Sequence, residues 1–130
     1  MILLDANTLI HYLKGIEPVV SRFHGSSPRE LAMPSVVAYE ILFGTLKAGS
    51  PSRRAVVAKL LVALRQVPFD SDAAQEAARV RFELESRGLV IGPVDLLIAG
   101  TALSRGATLV THNTREFSRV RGLRLADWTL

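Results

Sequence analysis

The run Ile2-Leu3-Leu4, followed at once by Asp5, constrains this chain more than any other stretch. Three consecutive apolar residues between polar ones suit a short strand buried on both faces, as in a parallel α/β sheet. Ligands of such sheets bind in the crevice outside the carboxyl ends of the strands. Asp5 falls at that end, so it can project into a site. Asp is also a good helix N-cap, and this stretch alone does not choose between the two roles.

The pattern recurs along the chain. Leu31-Ala32-Met33, stopped by Pro34, reads as a second buried strand, and Thr108-Leu109-Val110 as a late one that ends in the polar run Thr111-His112-Asn113-Thr114. Gln66-Val67-Pro68-Phe69 reads as a brief extended segment or edge strand, because proline cannot donate to a ladder. Leu123-Arg124-Leu125-Ala126 alternates and predicts a final strand. Helices are expected over 8–14, with Asn7 or Thr8 as cap, and over 17–24, 36–47, 52–65 and 71–87. A further helix opens at Pro93, which suits the first helical position, and ends at Gly106. This alternation implies an α/β fold: a three-layer α/β/α sandwich around a short, mainly parallel sheet, with residues 1–130 as one domain.

Helix 36–47 is apolar nearly all round and is therefore expected to be well buried. Helix 52–65 carries Val56, Leu60, Leu61 and Leu64 on one face. Helix 71–87 carries Ala74, Ala77, Ala78, Phe82 and Leu84. These two are expected to pair as a helical hairpin inserted beside the sheet.

Three carboxylates need an explanation. Glu40 lies mid-helix, with Val36, Val37, Phe43 and Gly44 as its neighbours at spacings of three and four. An ionised group on such a face is costly unless a cation or strong donors meet it. Asp95 sits in the first turn after Gly92-Pro93, where the helix dipole alone would accommodate it. Together with Asp5, however, these acids are placed to meet at one edge of a small sheet. Carboxylates held close repel one another strongly, and a divalent cation removes that penalty. All-oxygen ligands favour Mg²⁺, with Mn²⁺ possible, over zinc.

Composition narrows the partners. The net charge of +4 and the late cluster Arg115, Arg119, Arg121 and Arg124 suit a polyanion such as RNA or DNA. With 48% hydrophobic residues the chain is not disordered as a whole. The absence of cysteine excludes disulfides, zinc–thiolate sites and a thiol nucleophile, and fits a reducing, cytoplasmic location. No apolar stretch approaches the roughly 18 residues of a membrane span. The three histidines, His11, His24 and His112, are scattered in sequence, so a paired-histidine ribonuclease mechanism is not expected. Metal activation of water is the remaining route to a nucleophile at neutral pH.

The chain resembles the PIN-domain nucleases, and within them the VapC toxins of bacterial toxin–antitoxin pairs. The resemblance rests on Leu3-Leu4-Asp5-Ala6-Asn7, on residues 35–44 (SVVAYEILFG), on residues 91–99 (IGPVDLLIA) and on residues 109–117 (LVTHNTREF), in that order, and spans essentially the whole chain. It implies a PIN-like fold and a Mg²⁺-dependent endoribonuclease that cleaves selected tRNA or rRNA to inhibit translation and growth. It further implies Asp5, Glu40, Asp95 and Glu116 as the catalytic acids, with Asp5 and Asp95 on the metal. Asn7, Thr111, Asn113 and Arg115 are candidates to support the acids or touch substrate. The family's partners are a cognate VapB-like antitoxin, promoter DNA through that antitoxin, and in many members a second copy of the toxin. Two positions depart from the family pattern: Ala6 stands where Thr or Ser is usual, and Glu116 where Asp is frequent. Two other functions compete. Asp5-Ala6-Asn7-Thr8-Leu9 resembles the opening motif of haloacid-dehalogenase-type phosphatases, but that motif wants Asp where Asn7 stands. A non-catalytic RNA- or partner-binding module would gain nothing from acids clustered against a polyanion.

Overall fold

A computed structural model describes all residues, 1–130. Five strands form one fully parallel sheet in the order β3-β2-β1-β4-β5. They are β1 (Ile2–Leu4), β2 (Leu31–Pro34), β3 (Arg65–Val67), β4 (Thr108–Val110) and β5 (Arg124–Ala126). The helices are α1 (Ala6–Leu13), α2 (Val19–His24), α3 (Ser35–Ala48), α4 (Pro51–Ala63), α5 (Ser71–Ser86), α6 (Pro93–Ser104) and α7 (Thr114–Phe117). Leu3, Leu4, Met33, Leu109 and Val110 are buried on the sheet, as expected for strands covered on both faces. Leu3 pairs with Ala32 on one side and Leu109 on the other. The chain thus departs from β1 in opposite directions, to β2 and to β4, which makes the carboxyl end of β1 a topological switch point.

Four expectations are corrected. The first concerns α3, which buries Val37, Ala38 and Ile41 but exposes Tyr39, Leu42, Phe43 and Leu46, the last by 71%. A helix lying on a sheet hides one stripe only, whatever its opposite face carries. The second is the hairpin. The segment between α4 and α5 is a true edge strand paired with β2, so α4 packs on α3 while α5 packs on α6. The third is the helical faces: α4 buries Val57 and Leu60 in place of Val56, and α5 buries Ala73, Ala77, Val80 and Leu84, leaving Phe82 exposed. The α5–α6 seam is tight because position 100 is glycine. A Cβ there would lie 2.7 Å from the Ala73 carbonyl oxygen and 2.7 Å from Ala77 Cβ. Lastly, α1 begins two residues earlier than expected, with Asp5 as its cap.

Candidate active site

Asp5 caps α1 and also faces the carboxyl edge of the sheet. Its Oδ1 accepts the Ala6 N–H at 2.8 Å, capping α1, and its Oδ2 accepts the Thr111 hydroxyl at 2.8 Å across the β1–β4 switch point. The side chain is buried. Burial pushes its pKa above the ordinary carboxylate value, against the two hydrogen bonds that pull it down. Thr111 is itself fully buried, and its Oγ accepts the Asn113 N–H at 3.0 Å, so the β4 terminus and Asp5 form one rigid unit.

α3 follows β2, and its second turn carries Glu40 beside Asp5. Burial first, and the Asp5 charge second, raise the Glu40 pKa. α6 contributes Asp95 from its first turn. Burial, then the charges of Asp5 and Glu116, push Asp95 up to about 7, with Glu40 adding to the effect. The nearby Glu116 carboxylate, as a hydrogen-bond acceptor, also favours the protonated form of Asp95.

Glu116 sits on the single turn of α7 and reaches back into this group. Its Oε1 accepts the Gly92 N–H at 2.8 Å and its Oε2 accepts the Asn113 side-chain amide at 2.8 Å. The Asn113 amide, then the Gly92 N–H, hold its pKa below the ordinary value, with the bond to Asp95 and the Arg119 charge assisting. The same Asn113 nitrogen lies 3.4 Å from Asp95 Oδ2, so it bridges the two acids. All four acids named from the sequence therefore meet at the carboxyl edge of the sheet.

The donor set is all oxygen. As placed, no three His, Cys, Asp or Glu side chains close into a cage around one point. An all-oxygen donor set is the kind Mg²⁺ takes, with one or two carboxylates beside waters and substrate phosphate oxygens. The repulsion that adds to burial in raising Glu40 and Asp95 is the penalty such a cation relieves. Asp5 and Asp95, from the two sides of the cleft, could hold it, with Glu40 and Glu116 within reach.

The remaining candidates divide. Asn113 and Thr111 belong to the site by the bonds above. Asn7 is exposed on the first turn of α1 and Arg115 on α7, both outside the hydrogen-bond network. The basic cluster is largely structural: Arg119 donates to the Val90 carbonyl at 2.9 Å, Arg121 pairs with Glu83 at 3.3 Å and Arg124 donates to the Gly106 carbonyl. Two of the three histidines are neighbours in space, because the rings of His11 and His112 lie 6.4 Å apart.

Two contributors were not singled out from the sequence. Gly92 acts through its main-chain N–H. The signal was Pro93 at the first helical position, which leaves the preceding N–H outside the helix and free for a ligand. Asp127 reaches His112 at 3.2 Å, and no spacing rule connects residues 15 apart across two strand ends.

A fully parallel sheet with four carboxylates gathered at its switch point suits a nuclease with an acidic site. The PIN domain family matches residues 2–123, and the chain belongs to that family. Its relatives are more particular. It is 38% identical over 128 residues to the tRNA(fMet)-specific endonuclease VapC of Salmonella typhimurium, covering 97% of this chain and 96% of that protein. To ribonuclease VapC2 of Haemophilus influenzae it is 32% identical, covering 97% and 96%. Among solved structures, DNA-bound VapBC from Salmonella typhimurium superposes with a TM-score of 0.91 at 36% identity, covering 98% of this chain and 97% of that one. VapBC2 from Rickettsia felis, bound to a fragment of its promoter DNA, gives 0.88 at 30% identity, covering 98% and 99%. Within the PIN-domain family, this chain belongs with the VapC proteins.

Proposed function

We propose that the chain is a Mg²⁺-dependent endoribonuclease toxin whose first candidate substrate is tRNA(fMet), and that a VapB-type antitoxin holds it inactive. The observation that carries the reading is the convergence of Asp5, Glu40, Asp95 and Glu116, with Asp95 pushed up to about 7. A binding module for a polyanion has no use for such a cluster, and the phosphatase alternative lacks the second motif acid at Asn7.

Asp5 and Asp95 would hold the cation, which when bound would supply the positive charge that makes water a good nucleophile and offsets charge on the phosphate. Thr111 fixes the Asp5 carboxylate by its 2.8 Å hydrogen bond, so that its orientation does not depend on ligand. Asn113 and Gly92 keep Glu116 ionised and aimed at the cleft. Glu40, its pKa raised by burial and then by the Asp5 charge, is suited to take a proton from the attacking water. Attack by water leaves a 5′-phosphate and a 3′-hydroxyl. Arg115, the one late arginine with no protein partner, is a phosphate contact at the rim.

The test is cleavage of a tRNA(fMet) transcript with mapped ends. Wild type cuts in Mg²⁺ and stops in EDTA, and Asp5→Asn, which keeps the shape but removes a charge, is slower by orders of magnitude. Undiminished cutting in EDTA, or a 2′,3′-cyclic phosphate product, overturns the mechanism.

Two surfaces support the partner reading. A groove of about 480 Å³ runs between α1, α3 and α4, with Ile10, Leu13, Ile41 and Val56 as its apolar lining, Lys14 and Arg53 at its rim and Glu40 at its end. It suits an amphipathic antitoxin segment with acidic residues for the rim and a basic side chain for the acids. Excess cognate antitoxin is expected to abolish cleavage; full activity in its presence refutes this. The exposed stripe Tyr39, Leu42, Phe43 and Leu46 on α3 suits self-association of two copies about a two-fold axis.

A further inference from the structure

Beyond the acids, the carboxyl edge carries a second ordered constellation. Asp127 follows β5, and its side chain is only 8% exposed. Its Oδ1 accepts both the Thr129 N–H at 2.9 Å and the Thr129 hydroxyl at 2.6 Å. Its Oδ2 lies 3.2 Å from Nδ1 of His112, whose side chain is 59% exposed. The same Nδ1 is 3.1 Å from the Thr129 hydroxyl oxygen. That hydroxyl has one proton and directs it to Asp127, so toward His112 it can only accept. Both neighbours of Nδ1 are therefore acceptors, and Nδ1 carries the hydrogen. In the neutral imidazole the outward nitrogen, Nε2, is then a lone pair with no proton, fixed in direction by a buried carboxylate.

The position of this lone pair matters. His112 lies between Thr111, which holds Asp5, and Asn113, which bridges Asp95 and Glu116. β5 is the second strand from β1, so at ~4.8 Å between strands its end lies roughly 10 Å from that of β1. That separation is short enough for a nucleotide near a scissile phosphate at the acids to reach this edge. The His11 ring stands 6.4 Å away and tilted, with its Nδ1 buried and unpartnered, so nothing in the protein's hydrogen bonding claims the outer face of His112.

We propose that His112 is a substrate-contact residue whose Nε2 accepts a hydrogen bond from the nucleotide beside the scissile phosphate, with Asp127 and Thr129 as its positioning residues. The donor is the ribose 2′-hydroxyl or a base N–H; a phosphate oxygen has no proton to offer to this tautomer. A 2′-hydroxyl donor would also make the contact a means of selecting RNA over DNA. The inference rests on the ribonuclease reading above.

The experiment uses the tRNA(fMet) transcript, the cut site mapped with wild-type protein, and stem-loops carrying a 2′-deoxy ribose or a base lacking its N–H next to that site. His112→Ala, on an exposed position, is expected to melt with wild type and to raise KM about three- to ten-fold, the worth of one hydrogen bond, with a smaller change in kcat. Asp127→Asn presents an amide N–H to Nδ1 and inverts the tautomer, as replacement of the buried carboxylate does in a catalytic triad. It should raise KM similarly, with the inversion visible in the ¹⁵N shifts of His112. A 2′-deoxy penalty in wild type that disappears in His112→Ala identifies the ribose as the donor, and the same behaviour of the base analogue identifies the base. If neither modification couples to His112, the proposal falls. It also falls if KM is unaltered in His112→Ala, or if that variant lowers the log–log salt slope of binding by about 1, which marks a phosphate contact. A wild type that leaves RNA intact overturns the ribonuclease reading and this inference with it. A wild type that cuts while His112→Ala matches it overturns only this inference.

Discussion

Replacing Asp95 with Asn should stabilise the metal-free protein, and only above a certain pH. The folded protein holds Asp95 at about 7, against 3.8 for the free side chain. Burial is the first cause, and repulsion from Asp5 and Glu116 follows. Below 3.8 the group is protonated folded and unfolded alike, and it does not affect stability. Between 3.8 and about 7 the unfolded chain releases the proton while the folded one keeps it, so folding stability falls as pH rises. Above 7 the loss is complete. At ~1.4 kcal/mol per pH unit the full interval corresponds to ~4 kcal/mol. The residue is partly exposed, and solvent screening reduces this to about 1–2 kcal/mol.

Asp95→Asn removes the charge and keeps an N–H that can donate to Glu116, as the protonated acid does. In EDTA the variant should match wild type near pH 4 and melt about 5 °C higher at pH 8, given the entropy of unfolding of a chain this size. Mg²⁺ should close the gap by stabilising wild type more than the variant. A melting difference that does not vary between pH 4 and 8, or a less stable variant at pH 8, would show that the acids do not repel one another as described.

Thr111→Val strips Asp5 of its 2.8 Å donor; metal affinity measured by calorimetry should fall about 10–100-fold, as for other residues that orient a metal ligand. Gly100→Ala forces a methyl group against α5 at 2.7 Å and should lower stability by ~1–3 kcal/mol in urea, with the cleavage site unaltered. Arg115→Ala should lower the salt slope of RNA binding by about 1; Arg124→Ala, whose guanidinium is engaged with Gly106, should not. Leu46→Glu on the α3 stripe should shift light scattering from dimer to monomer, and a monomeric wild type at micromolar concentration refutes the two-fold reading.

Local chemistry determined much of this protein. Runs such as Ile2-Leu3-Leu4 have too few polar atoms to face water and must lie inside a parallel sheet, so the residue that ends each run falls at the ligand edge. Asp5, Thr111 and Asn113 were therefore legible as site residues, and Glu40 and Asp95 followed from their misfit or their helix start. The PIN-type resemblance added Glu116. What the sequence left open is relative placement. The chain could not show which stripe of an all-apolar helix would face solvent, and α3 exposes Tyr39, Leu42, Phe43 and Leu46 because the sheet covers only one side. Neither could it separate Arg115 from Arg119, Arg121 and Arg124, whose carbonyl and carboxylate partners lie on other elements. Spacing along the chain does not encode the contact of His112 with Asp127. Only the pairing of β4 with β5 brings those residues together, and a hydrogen bond depends on distances of a few ångströms that tertiary packing alone decides.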